Sequence, residues 1–137
     1  MPKVLVVEDN PANMTLSTFL LESAGHSVLK ATDAETGVAL AVAEQPDLIL
    51  MDIQLPGIDG LQATSILKGD ATTRGIPVIA LTALAMKGDE ARIRAAGCEG
   101  YIAKPLSYKD FLATVSTELG NRAAAQTQDG DMKSKAG

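Results

Sequence analysis

A chain of 137 residues with 46% hydrophobic side chains carries one domain's worth of core, not two. Aromatics make up only 3%, so platforms for stacking bases are scarce, and a net charge of -5 from 12 basic and 17 acidic groups argues against a nucleic-acid footprint. The single cysteine, Cys98, closes no internal disulfide, and no apolar run reaches the roughly 18 residues of a membrane helix, so the chain reads as soluble and cytoplasmic, with no membrane partner.

Short aliphatic runs alternate with longer stretches of helical periodicity from one end of the chain to the other. The runs are Val4 to Val7, Ser27 to Lys30, Leu48 to Met51, Val78 to Leu81 and Tyr101 to Ala103. Helices are expected over 11–24, 34–44, 59–69, 85–96 and 107–119. Asn10 before Pro11 caps the first helix and Gly25 ends it; Asp33 caps the second, Gly97 closes the fourth, and Ser107 with Asp110 opens the fifth. Leu16, Phe19 and Leu20 form an apolar stripe on the first helix, as do Phe111, Leu112, Val115 and Leu119 on the fifth. His26, the only histidine, follows Gly25 and reads as an exposed loop residue. Five βα units imply a parallel sheet, with the continuously apolar run before Asp52 as its central strand.

Beyond about residue 119 the chain turns polar and glycine-containing, so 1–119 is expected to be the domain and 120–137 a disordered tail. Arg122, Lys133 and Lys135 against Asp129 and Asp131 give that tail +1, which leaves the domain at -6. Nothing in the tail resembles an output module, so output is expected through the domain's own surface.

Function in an open parallel sheet gathers outside the carboxyl ends of its strands. Those ends carry Glu8 and Asp9, then Asp52, Thr82, and finally Lys104 before Pro105. Each has an ordinary reading alone: Glu8 and Asp9 as a solvated strand end, Asp52 as a turn cap, Thr82 as a β-branched strand residue, Tyr101 as a core aromatic. Together they place three carboxylates, a hydroxyl and an ammonium around one crevice. Crowded carboxylates need a compensating cation, and Mg²⁺ with its oxygen shell suits them. In such a site Asp52 is the nucleophile, Asp9 a direct metal ligand, Glu8 a ligand through water, and Lys104 the partner of a phosphoryl oxygen.

The segments Val6-Val7-Glu8-Asp9-Asn10, Asp47 to Pro56, Ala80-Leu81-Thr82-Ala83 and Tyr101 to Pro105 resemble the receiver domains of two-component response regulators. Asn13-Met14 and the stretch Ala85 to Glu90 resemble more narrowly the stand-alone, DivK type. The resemblance implies a doubly wound (βα)5 fold of the flavodoxin-like, CheY-like kind, with strand order 2-1-3-4-5. It implies that Asp52 accepts a phosphoryl group from a histidine kinase or a histidine phosphotransfer protein, with slow autodephosphorylation. Mg²⁺ would be held by Asp9, Asp52 and the backbone carbonyl of Gln54; Glu8 stands where aspartate is more frequent. Thr82 would bond the phosphoryl group and Tyr101 would swing inward as the switch. A downstream protein would read the face made by the fourth helix, fifth strand and fifth helix, and Lys104-Pro105 would be a cis peptide.

Three rivals are weaker. A phosphorylation-independent adaptor would keep the fold and use its helical face constitutively. A flavin binder would want aromatics to sandwich the ring, and these are scarce here; an aspartyl phosphatase would want an acid where Gln54 stands, two residues after Asp52.

Overall fold

The computed structural model describes residues 2–55, 57–82, 87–104 and 107–120. In chain order these form β1 (Lys3–Val7), α1 (Pro11–Ser23), β2 (Ser27–Ala31), α2 (Ala34–Glu44), β3 (Leu48–Asp52), α3 (Gly60–Gly69), β4 (Val78–Thr82), α4 (Lys87–Ala95) and β5 (Gly100–Ala103). A fifth helix, α5, spans 108–120. The strands form one sheet in the order β2-β1-β3-β4-β5, with every adjacent pair parallel. Fold and strand order are those implied by the sequence. The expected start of the fourth helix at residues 85 and 86, the Lys104-Pro105 cis peptide and the tail from 121 onward lie outside the described residues.

Side chains alternate across the sheet and so divide the core in two. Leu5, Val7, Ile49, Met51, Val78 and Ala80 face Ala34, Ala41, Ala63, Leu67 and Ile93. On the other side Val4, Val6, Leu48, Leu50, Ile79 and Leu81 face Leu20, Leu21, Phe111 and Val115. β3 and β4 are buried along their whole length, as a strand covered on both faces must be. Each large aliphatic side chain taken from water there contributes about 1.5–3 kcal/mol.

Local chemistry sets the helix ends. The Asn10 side chain accepts from the Asn13 amide at 3.0 Å with Pro11 in the first turn, and the Asp33 carboxylate accepts from the Thr36 amide at 2.7 Å. Asp59 and Gln62 close a reciprocal capping box on α3. Gly25 leaves α1 with φ +91°, a left-handed conformation that a side chain would oppose.

Two sequence expectations are corrected. The α1 stripe is not Leu16, Phe19 and Leu20: Leu16 is 39% and Phe19 66% exposed, and the buried residues are Ser17, Thr18, Leu20 and Leu21. At 3.6 residues per turn Ser17, Thr18, Leu20 and Leu21 share the sheet-facing side, and Phe19 falls on the opposite one. His26 is half-buried rather than exposed, and its Nδ1 is buried with no hydrogen-bond partner among the described residues. The α5 stripe holds, with Phe111 and Val115 buried and Leu112 and Leu119 packed against the same core.

Candidate functional site

Because all five strands run the same way, their carboxyl ends share one rim. Register pairs Val7 with Met51, Asp52 with Leu81, and Thr82 with Ala103, so the residues at and just after these positions meet there. The Glu8 amide donates to the Ala31 carbonyl at 3.0 Å, which holds Glu8 in line with the end of β1. Glu8 is 1% and Asp52 2% exposed, while Asp9 faces solvent. One carboxylate oxygen from each of Glu8, Asp9 and Asp52 lies within 4.8 Å of the others.

Lys104 reaches this cluster from the far end of β5, where its amide donates to the Thr82 carbonyl at 2.7 Å. Its Nζ sits 3.2 and 3.3 Å from the two Glu8 oxygens and 3.1 Å from Asp52 Oδ2. The other Asp52 oxygen, Oδ1, accepts from the Gln54 amide at 2.9 Å. Thr82 closes the rim on the β4 side and is buried. Tyr101 is half-buried and packs against the core cluster beneath α2, α3 and α4.

Sequence reasoning missed Asn13, whose Nδ2 donates to Glu8 Oε1 at 2.9 Å. A signal was available: Asn13 occupies the third position of a helix starting next to Glu8, where a side chain can reach back toward the preceding loop.

The site carries more negative charge than its lysine offsets. Glu8 is pushed up from 4.5 to about 7, first by burial, then by its hydrogen bond with Asp52 and by the Asp52 charge; the Asn13 amide and the Lys104 charge pull it back down. Three acids share one ammonium, and two of them are cut off from water. A cluster of hard oxygen donors with uncompensated charge fits a divalent cation such as Mg²⁺, which favours carboxylates and water over nitrogen or sulfur.

Comparison with known proteins agrees with this geometry. The model of the response regulator receiver domain matches residues 4–116. Polar-differentiation response regulator DivK of Brucella anthropi is 51% identical over 122 residues, covering 88% of this chain and 99% of that protein. DivK of Brucella ovis is 50% identical over 118 residues, 86% of this chain and 96% of the relative. Among solved structures, the receiver domain of a sensor histidine kinase from Pseudomonas aeruginosa, with a magnesium ion coordinated in its active-site cleft, is 36% identical with a TM-score of 0.81, covering 87% of this chain and 98% of that one. A CheY-like receiver domain protein from Methanospirillum hungatei superposes with a TM-score of 0.85 at 26% identity, over 91% and 98% of the two chains.

Proposed function

The chain belongs to the response regulator receiver family, and from that premise we propose that Asp52 is its phosphoacceptor in a two-component phosphorelay. A histidine kinase or histidine phosphotransfer protein is the donor. A carboxylate oxygen of Asp52 attacks phosphorus, the N–P bond of the donor phosphohistidine breaks, and the imidazole leaves with its electron pair and takes up a proton. The product is an acyl phosphate.

What supports this reading most is the placement of Lys104 Nζ between Glu8 and Asp52, in a pocket with three carboxylates. Before transfer the ammonium offsets their charge; afterwards it lies within reach of the new phosphoryl oxygens. Asp9, Asp52 and the main-chain carbonyl of Gln54 would hold Mg²⁺ directly, and Glu8 through water. The ion supplies positive charge that offsets the carboxylates and the transferring phosphoryl group. The Gln54 amide orients Asp52 through Oδ1. Asn13 and Lys104 hold the Glu8 side chain in place.

Phosphorylation adds about 1.5 to 2 negative charges at pH 7. The Thr82 hydroxyl then donates to the phosphoryl group, Tyr101 follows inward, and the α4-β5-α5 face changes for a downstream protein to read. Water slowly returns Asp52 to its free form. No helix of the described residues is long and apolar enough to cross a membrane, in keeping with a cytoplasmic relay.

The donor is tested with a histidine kinase carrying labelled phosphohistidine, mixed with the chain and Mg²⁺. Label is expected on the wild type and not on Asp52→Asn. Equal labelling of the two overturns Asp52 as the acceptor.

A further inference from the structure

α3 begins against the main chain of the residue that the proposed function makes the acceptor. A Cβ built on Gly60 would lie 2.2 Å from the Asp52 carbonyl oxygen, 2.7 Å from Ile53 Cα and 2.8 Å from the Asp52 carbonyl carbon. All three are backbone atoms, which cannot rotate away as the end of a side chain can. Restoring ordinary contact would take a shift of about 1 Å in either the end of β3 or the start of α3.

Backbone conformation does not call for this glycine. Among the described residues the glycines with positive φ are Gly25, Gly57 and Gly97, and Gly60 is not one of them. Glycine is also a poorer helix former than Ala. Close approach is therefore what the position requires. The surrounding hydrogen bonds converge on the same spot: the Gly60 amide donates to the Ile53 carbonyl at 3.3 Å, and the buried Thr64 hydroxyl donates to the Gly60 carbonyl at 2.8 Å. The Asp59–Gln62 capping box fixes the same turn from outside. Between Asp52 and this turn lies Gln54, whose amide holds Asp52 Oδ1.

We infer that Gly60 is a positioning residue for Asp52: by seating the first turn of α3 directly on the acceptor's own carbonyl, it sets the path of the β3–α3 connection and thereby keeps the Gln54 N–H on the Asp52 carboxylate. The inference rests on Asp52 as the phosphoacceptor. A carboxylate displaced by 1 Å would still be buried and paired, but it would be misaimed at an incoming phosphorus.

Gly60→Ala tests this against Gly69→Ala, a change at the other end of the same helix where an added Cβ meets nothing within 4 Å. Three quantities are read well below the melting temperature: the dissociation constant for Mg²⁺ alone, the amide resonance of Gln54, and the rate of phosphorylation by acetyl phosphate with Mg²⁺. Gly60→Ala is expected to shift the Gln54 resonance, weaken Mg²⁺ about threefold and slow phosphorylation about tenfold, as small misplacements of reacting groups do. Gly69→Ala should leave all three unchanged. If Gly60→Ala melts earlier but keeps wild-type Mg²⁺ affinity, Gln54 resonance and rate, the glycine only packs and the inference is overturned. Should that variant fail to fold, Thr64→Val removes the bond to the Gly60 carbonyl while keeping the side-chain shape. It should move the Gln54 resonance and weaken Mg²⁺ about twofold, the modest loss expected of one hydrogen bond acting at a distance; no movement overturns the inference. Wild type that takes no phosphoryl group defeats the Asp52 reading itself, and the Mg²⁺ titration still judges Gly60.

Discussion

Two lysine–carboxylate groups stand at opposite ends of this sheet, and they are balanced in opposite ways. At the amino ends of the strands Lys68 Nζ donates to Glu99 Oε1 at 2.6 Å and to the carbonyls of Ile76 and Arg74 at 2.8 and 3.1 Å. The second Glu99 oxygen accepts from the Val78 amide at 2.6 Å, while the Glu99 amide donates to the Val78 carbonyl at 2.9 Å. One positive charge meets one negative charge, and every donor has a partner. That arrangement ties α3, the α3–β4 connection and the start of β5 together. At the carboxyl ends a single ammonium serves a cluster of three acids, one of which is driven toward protonation. A balanced group stabilises a fold; an unbalanced one suits a cation and, under the proposed function, a phosphoryl group.

Substitutions at the two ends should therefore separate activity from stability. Lys104→Ala is expected to slow phosphorylation by acetyl phosphate about a hundredfold, the usual loss when one preorganised donor to a charged transition state is removed. Rates within threefold of wild type would mean that the rim lysine is only structural. Next in size is a pH effect on the metal-free chain. Glu8 is raised in the folded state, so its contribution is fully present below about pH 4.5 and is lost as pH rises through about 7. Urea unfolding should show stability falling over that window by up to about 3 kcal/mol, and Glu8→Gln should flatten the slope. Asp33 and Asp70 act in the opposite sense: backbone bonds from Thr36 and Thr72 hold their carboxyls low, so their contribution is lost as pH falls below the ordinary value of 3.8. A maximum between the two regions is the expected profile.

At the other end of the sheet Lys68→Met should cost about 2 kcal/mol, because it strands two carbonyls and half of the partly exposed Glu99 carboxylate. Its phosphorylation rate should stay that of the wild type; a parallel loss of rate would erase the contrast between the two ends. The smallest effect belongs to Phe19→Ser, under about 0.5 kcal/mol in a melting experiment, since this side chain is largely in water. A loss of several kcal/mol would restore the apolar stripe that the α1 periodicity suggests.

Phe19 also marks where sequence reading stops working. Strand positions are legible to within a residue, because short aliphatic runs leave little freedom of assignment, least of all in β3 and β4 where both faces are buried, and Asn10 and Asp33 cap the helices they precede. α1 was misread because its sheet-facing side carries Ser17 and Thr18, whose burial depends on how closely the helix approaches the strands, and that distance is not a local property. His26 was misjudged for the same reason. At the site, the parallel topology alone brings Glu8, Asp9, Asp52, Thr82 and Lys104 to one rim, so their convergence could be read from strand ends. The Asn13 contact with Glu8 and the role of Gly60 are not legible there, since one depends on a side chain reaching back across a loop and the other on the absence of a side chain.

Intact-mass measurement after incubation with Mg²⁺ and acetyl phosphate reads phosphorylation of Asp52 directly. The wild type should gain the mass of one phosphoryl group and Asp52→Asn none. A wild type that gains nothing under these conditions, or a variant that gains as much, would contradict it.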